Sequence, residues 1–105
     1  MNTKKLFRLE IDAENGCWYN KNGEYHCSEP SLISHDMPCE PNVYKGIYKS
    51  ACATLEDLFW WVDKELAKKN KYILAEYESE DYFEREHGEI CFNKLTAKRR
   101  VIELL

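Results

Sequence analysis

The chain opens with a segment in which apolar and charged side chains alternate. Residues 5–11 carry apolar side chains at every second position, the period of a strand with one face against a core. The pattern therefore predicts a first β-strand. One side of this strand would carry Phe7, Leu9 and Ile11, and the other side would carry Leu6, Arg8 and Glu10.

A different spacing, with apolar residues three and four positions apart, predicts one main helix over about residues 54–69. Thr54 stands three residues before Asp57, a variant of the capping box that begins a helix. Lysines fall in the last turns, and Asn70 can supply a left-handed cap. The apolar stripe, flanked by Trp61 but not reached by Trp60, consists of Leu55, Leu58, Phe59, Val62 and Leu66.

Four further segments show strand patterns: residues 45–49, 72–78, 89–93 and 99–104. Ile90 and Phe92 point inward in the third, and His87-Gly88 makes the turn before it. At 105 residues the chain has the size of one domain, residues 1–105. We expect an α+β fold, in which one main helix packs on one face of a mainly antiparallel sheet of about four to six strands.

Residues 12–42 contain Asn-Gly pairs and three prolines, which break regular structure. Residues 17–19 and 24–27 could still flank a short hairpin turn. A loop of this length in a compact domain is functional or disordered, and this one has too many aromatic residues for disorder. We expect it to be ordered and to carry function.

The formal net charge of −4 argues against a general nucleic-acid binder. Residues 76–89 contain seven carboxylates against one arginine, and a basic group of residues 94–100 follows, so we expect an acidic patch and a basic one. The longest apolar stretch is far too short for a membrane span, and residues 1–5 lack the apolar core of a signal peptide. We therefore expect a cytoplasmic protein with no membrane partner.

Five cysteines are present, an odd number, and in a reducing cytosol they should be thiols. Cys52 and Cys91 lie in apolar surroundings and are expected to act as small buried hydrophobic residues. Possible zinc ligands are Cys27, His35 and Cys39, with Cys17 or His26 as a fourth. However, no C-x-x-C pair occurs, and structural zinc sites usually use such close pairs, so no metal or cofactor is expected.

Catalytic arrangements find little support in the sequence. His26 precedes Cys27 directly, but neighbouring residues of an extended segment point to opposite faces, so this histidine does not simply activate the thiol. The carboxylates of residues 76–89 crowd a polar stretch that is typical of a solvated face. The four scattered glycines form neither a P-loop nor a dinucleotide fingerprint. A binding protein is therefore favoured over an enzyme.

The chain is rich in Trp and Tyr residues that are interleaved with cations. Aromatic faces stack bases or fill partner pockets, and nearby Lys or Arg side chains neutralise phosphates. The mixture fits a nucleotide-like ligand or a protein interface. For Tyr77 and Trp61 a core position is favoured. For Trp60 and residues 18–25, a role in binding or self-association is at least as well supported as a core position.

Four elements give the chain a resemblance to a group of small uncharacterised bacteriophage and prophage proteins. They are residues 6–10 (LFRLE), 35–38 (HDMP), 55–61 (LEDLFWW) and 75–78 (AEYE). In that group a histidine-proline element takes the second position, whereas here Met37 separates His35-Asp36 from Pro38. The resemblance implies a phage accessory product, and such products often disable host defence components without catalysis.

On this basis we expect a counter-defence protein that sequesters a nucleotide-derived immune signal in the host cytoplasm, as a homo-oligomer. Its ligand would lie in a pocket formed by residues 12–49, together with Arg8. Arg8, Lys45 and Lys49 would contact phosphates, His26 or His35 would donate hydrogen bonds, and Trp60 would form the subunit contact. The candidates for stacking the base are Trp18, Tyr19, Tyr25 and Tyr44.

Two alternatives remain open from the sequence. The protein could inhibit a host defence nuclease through the acidic segment, with Glu80, Asp81 and Glu84 facing a basic DNA-binding groove. It could also be a small hydrolase that degrades the signal and depends on His26 or His35.

Overall fold

The computed structural model describes residues 3–16 and 47–104 of the chain. Within these residues, six strands form one antiparallel sheet in the order β4-β5-β2-β1-β3-β6. The strands are β1 (Lys4–Glu10), β2 (Tyr48–Cys52), β3 (Ile73–Ser79), β4 (Tyr82–Glu84), β5 (Glu89–Asn93) and β6 (Lys98–Leu104). The expected α+β class and the antiparallel sheet are confirmed.

The strand predictions hold for β1, β3, β5 and β6, each within a residue or two of its expected bounds. The sequence predicted a strand at residues 45–49, but β2 lies a few residues further along. Strand β4 was not predicted. It is only three residues long, too short to show a period of two among its charged neighbours.

The single main helix expected over residues 54–69 is instead two short helices among the described residues, α1 (Leu55–Trp61) and α2 (Lys64–Lys69). Between them Val62 adopts an extended backbone, with φ −128° and ψ 150°, and its side chain is fully buried. The Asp63 carboxylate then accepts hydrogen bonds from the backbone N–H groups of Glu65 and Leu66, at 2.9 and 3.1 Å. A β-branched residue followed by a strong N-cap residue favours a helix restart over continuation.

The outer ends of the helical pair follow simple capping chemistry. The Thr54 hydroxyl accepts a hydrogen bond from the Asp57 backbone N–H at 3.1 Å, as the capping pattern predicted. At the other end, the prediction of a left-handed cap at Asn70 is wrong, because the φ of Asn70 is −91°. The next residue, Lys71, takes the left-handed conformation instead, with φ 57°. The Asn70 side-chain amide instead donates to the Leu66 carbonyl at 2.8 Å.

One side of the sheet, here called the helical face, packs against α1 and α2. Trp61 is buried in this core and Trp60 is exposed, as the helical stripe predicted. Leu55, expected in the stripe, is also largely exposed, because it stands at the first position of α1. The buried cluster consists of Leu9, Cys52, Leu58, Trp61, Val62, Ala67, Tyr72 and Leu74.

The opposite side, here called the concave face, holds a second apolar cluster. Lys4 of β1 lies 3.7 Å from Glu84 of β4 and 5.8 Å from the Tyr82 ring, although β2 and β5 separate these strands in the sheet. The sheet therefore curves towards this face. Its core consists of Leu6, Ala51, Ala75, Tyr77, Ile90 and Phe92, which confirms the inward positions predicted for Tyr77, Ile90 and Phe92.

Strand β6 forms one edge of the sheet, and its pairing with β3 shifts register between Leu74 and Ala75. Val101 pairs with Ala75 and Glu103 with Leu74, so Ile102 is an extra residue on the edge strand. A bulge of this kind interrupts the regular row of backbone groups and protects an edge from further strand pairing. Among the described residues no helix has the length and apolar character needed to cross a membrane.

Cys91 is disulfide-bonded, and its partner lies outside the described residues. This bond corrects the expectation that all five cysteines are thiols. Cys52 is a free, fully buried thiol. Burial, with smaller effects of the nearby Asp57 and Glu89 charges, raises the pKa of Cys52 to about 12, so its thiol form is strongly favoured.

The turn between β4 and β5 is a single 3₁₀ turn, Glu86–Gly88, at the predicted His87-Gly88 position. His87 and Gly88 both have positive φ, at 50° and 76°. A Cβ atom on Gly88 would lie 2.5 Å from the Asp57 carboxyl carbon. The turn is therefore packed against α1 at a distance that only glycine permits.

Gly88→Ala should lower the free energy of unfolding by about 2 kcal/mol or more, because a positive φ disfavours alanine and the new methyl group meets Asp57. Urea denaturation checks this. In the double variant Asp57→Ala/Gly88→Ala the contact is removed but the backbone strain stays, so part of the stability should return. A Gly88→Ala variant as stable as the parent protein would contradict this account.

Alkylation of protein refolded without reductant should distinguish the two described cysteines. In the native state neither Cys52 nor Cys91 should react, since both are fully buried. In denaturant without reductant Cys52 should be labelled and Cys91 should not, because its sulfur is in a disulfide. Peptide mass spectrometry reads the result, and labelling of Cys91 under these conditions would disprove the bond.

Candidate anion-binding site

The Glu10 carboxylate, which is fully buried, is the centre of a polar network on the concave face. Tyr77 of β3 donates a short hydrogen bond to its Oε2 atom. Arg99 of β6 donates to Oε1 from Nε and Nη2, at 3.0 and 2.8 Å. The alternation of β1 places Glu10 on this face, opposite Leu9. The adjacent strand β3 supplies Tyr77, and β6, on the far side of β3, supplies Arg99.

Arg8 lies beside Glu10 on the same face and is almost completely buried. Its Nε atom is 3.4 Å from Glu10 Oε2, and its Nη1 atom donates to the Ser50 carbonyl of β2 at 2.6 Å. The guanidinium therefore connects β1 to β2, two strands whose backbones pair at Phe7 and Cys52. Buried charges are tolerated when they are paired and hydrogen-bonded in this way.

Two lysines complete the group. Lys49 of β2 is 2% exposed, and Lys94, in the turn after β5, donates from Nζ to the Ala13 carbonyl at 2.6 Å. Burial is the main cause that lowers the pKa of Lys94, and the positive charges of Arg8, Lys49 and Arg99 lower it further, against the opposing effect of Glu10. Arg8, Lys49 and Arg99 are therefore close enough to Lys94 to repel its positive charge.

We call Arg8, Lys49, Lys94 and Arg99 the cationic cluster. Within the described residues, the Glu10 carboxylate contacts Arg8 and Arg99 of this cluster, and its charge acts on Lys94. Burial alone would lower the pKa of Arg99, but the hydrogen bonds and charge of Glu10 raise it. An anion is the ligand that this charge arrangement would attract.

The described rim of the cluster is formed by two turns. In the first, the Asp12 carboxylate accepts hydrogen bonds from the backbone N–H groups of Glu14 and Asn15, both at 2.9 Å, and from the Asn15 side chain. These bonds are the main reason that the pKa of Asp12 is lowered. The second turn contains Lys94, whose bond to Ala13 holds the two turns together.

Two of the predicted ligand residues, Arg8 and Lys49, thus lie on one face and belong to one charged group. The other predicted ligand residues lie outside the described residues, and their roles stay predictions. They are Trp18, Tyr19, Tyr25, His26, His35, Tyr44 and Lys45. The described residues contain no group of three or more side chains that could hold a metal ion.

Sequence reasoning did not assign Glu10, Lys94 or Arg99 to the site. Alternation along residues 5–11 did put Arg8 and Glu10 on the same side of β1, and that side is the concave face. Alternation along β6 also places Arg99 on the opposite face of the sheet from Lys98 and Arg100. The pairing of β6 with β3, which brings Arg99 to Glu10, is a tertiary feature that no local pattern encodes.

The acidic segment does not form one continuous carboxylate surface. Glu76 pairs with Arg100 at 3.0 Å, and Glu89 is buried and accepts from the Ser50 hydroxyl at 2.8 Å. Asp81 accepts hydrogen bonds from the Tyr48 hydroxyl and the Asn93 amide. The three residues predicted to face a nuclease are all exposed; they are Glu80, Asp81 and Glu84.

Tyr77→Phe should reduce the free energy of unfolding by about 1–2 kcal/mol at neutral pH, because Glu10 loses a buried donor. Burial, and then the charge and hydrogen bond of Glu10, raise the pKa of Tyr77 above its unfolded value. Its stabilising contribution is therefore complete below the unfolded pKa of about 10 and is lost as the pH rises from there towards the folded pKa.

The parent protein should consequently lose stability more steeply above about pH 10 than Tyr77→Phe does. Urea titrations at a series of alkaline pH values measure both slopes. Equal slopes in the two proteins would show that the Tyr77 proton is not held by the fold.

Comparison of the chain with protein families, with curated proteins and with solved structures gives no match. The resemblance to small phage and prophage proteins, which rests on short sequence elements, stays an expectation.

Proposed function

We propose that the protein is a non-enzymatic binding protein that sequesters an anionic, nucleotide-derived signalling molecule, as a phage counter-defence protein would. The observation that carries the proposal is the cationic cluster, in which Arg8 and Arg99 contact Glu10, and Lys94 lies close enough to feel the charges of Arg8, Lys49 and Arg99. Phosphate groups are the common biological anions that Arg and Lys recognise together.

The geometry favours binding over catalysis. Arg8 and Arg99 are held by Glu10 and by the Ser50 carbonyl, so their positions are set before any ligand arrives. Preorganised donors lower the entropic cost of binding an anion. The Tyr77 hydroxyl, which donates to the Glu10 carboxylate, is almost completely buried, whereas covalent hydrolysis needs a nucleophile that can reach its substrate.

The aromatic part of the proposal comes from the sequence. The base of the nucleotide would stack on Trp18, Tyr19, Tyr25 or Tyr44, and Lys45 would add a fifth cation to the cationic cluster. Residues 12–16, the described start of the predicted binding region, lie at the rim of the cluster through the contact of Ala13 with Lys94. In the proposal, the ligand lies beside this contact.

Isothermal titration calorimetry against a panel of cyclic nucleotides and ADP-ribose-type nucleotides tests the proposal. We expect saturable binding of at least one compound, which weakens as salt is added because salt screens charges. Chromatography after incubation should return the nucleotide unchanged, which separates sequestration from hydrolysis. No heat with any compound would refute the proposal.

Matched variants locate the binding. Lys94→Gln and Arg99→Gln should each weaken binding about tenfold, because each removes a charged donor to phosphate. Arg100→Gln is the control for Arg99→Gln, since Arg100 is the next residue but pairs with Glu76. Lys98→Gln, at an exposed position, is the control for Lys94→Gln. If the controls weaken binding as much as the cluster variants, the site is elsewhere.

A further inference from the structure

A small pocket lies between α1 and the Glu86–Gly88 turn. It has a volume of about 140 Å³ and is lined by Glu56, Asp57, Trp60 and His87. Pockets for complete small-molecule ligands usually have volumes of roughly 300–1,000 Å³. This pocket is therefore too small for a nucleotide and suits the end group of one side chain.

The pocket has an aromatic wall. The Trp60 indole is 39% exposed and stacks on the His87 imidazole, with ring centres 4.3 Å apart and planes at 17°. Trp61 contacts Trp60 edge-on, with ring centres 4.9 Å apart. Indole is the side chain that attracts cations most strongly through its ring face.

The remaining wall is acidic. Glu56 and Asp57 occupy the first turn of α1, and neither lysine nor arginine is among the residues that line the pocket. Arg85 lines a neighbouring pocket that shares Asp57. Two carboxylates beside an aromatic face match a planar cation with several N–H donors, because its donors can bond the carboxylates while its plane lies against the ring.

The wall is fixed by contacts behind it. Trp61 donates from Nε1 to the His87 carbonyl at 3.0 Å. Gly88 approaches the Asp57 side chain too closely for any Cβ atom. These contacts keep His87 in a left-handed conformation that non-glycine residues rarely adopt, with its ring on Trp60.

From this geometry we propose that the pocket binds the guanidinium group of an arginine side chain on a partner protein. The inference goes beyond nucleotide capture and uses none of its residues. It gives Trp60, which the sequence indicated as a contact residue, a specific chemical role. The acidic residues concerned are Glu56 and Asp57, not the Glu80, Asp81 and Glu84 group expected from the sequence.

Solution NMR with a short peptide tests the inference directly. The peptide acetyl-Gly-Arg-Gly-amide should shift the Trp60 indole N–H signal and the His87 signals in a saturable manner. The same peptide with citrulline in place of arginine has nearly the same shape without the charge, and should produce little change. Equal shifts with both peptides, or none with either at millimolar concentration, would overturn the inference.

Variants identify the contacts. Glu56→Gln and Trp60→Leu should each raise the Kd for the arginine peptide about threefold to fivefold. Glu65→Gln, an exposed acidic residue in the first turn of α2, is the control and should leave the Kd unchanged. Parent-like binding by Glu56→Gln and Trp60→Leu would refute the assignment.

Analytical ultracentrifugation tests whether the arginine that enters the pocket comes from a second copy of this chain. A sedimentation coefficient that is the same for the parent protein and Glu56→Gln would support a different protein as the partner. Self-association that Glu56→Gln abolishes would overturn that choice and make a second copy of this chain the occupant.

Discussion

The buried Glu10 carboxylate is the interaction on which the concave face depends. An ionised carboxylate without partners would be very costly in this position, and removing one partner of a buried ion pair typically costs about 3–5 kcal/mol. Three side chains meet this requirement together: Tyr77 of the adjacent strand β3, Arg99 of β6 on the far side of β3, and Arg8 of the same strand. The same contacts bring the positive charges of Arg8 and Arg99 together at one end of the face.

The fold separates two kinds of surface by strand alternation. On the helical face, apolar residues of the sheet pack against α1 and α2, and the turn before β5 rests on α1. On the concave face, an apolar cluster around Tyr77 and Phe92 lies next to the charged cluster around Glu10. Curvature of the sheet closes the apolar end, where Lys4 reaches β4. The two candidate binding surfaces therefore have opposite charge and lie on different parts of the molecule.

Much of the fold could be predicted from local patterns, because alternation and capping are local properties. Alternation in β1 and β5 and the Thr54 cap are examples that the structure confirms. The interruption of the helix at Val62 could not be predicted, because the apolar stripe of the sequence continues through this position. Burial of the Val62 side chain decides that the helix ends there. The order of strands also could not be predicted, and this order alone brings Arg99 to Glu10 and Lys94 to Ala13.

The central claim is that the cationic cluster holds positive charge which an anion would relieve. NMR titration of the Lys94 ammonium, with and without saturating inorganic pyrophosphate, measures this directly. The Lys94 pKa should lie below its ordinary value in the free protein and rise when the anion binds, because a neighbouring negative charge favours the protonated amine. A Lys94 pKa that pyrophosphate leaves unchanged would contradict the account.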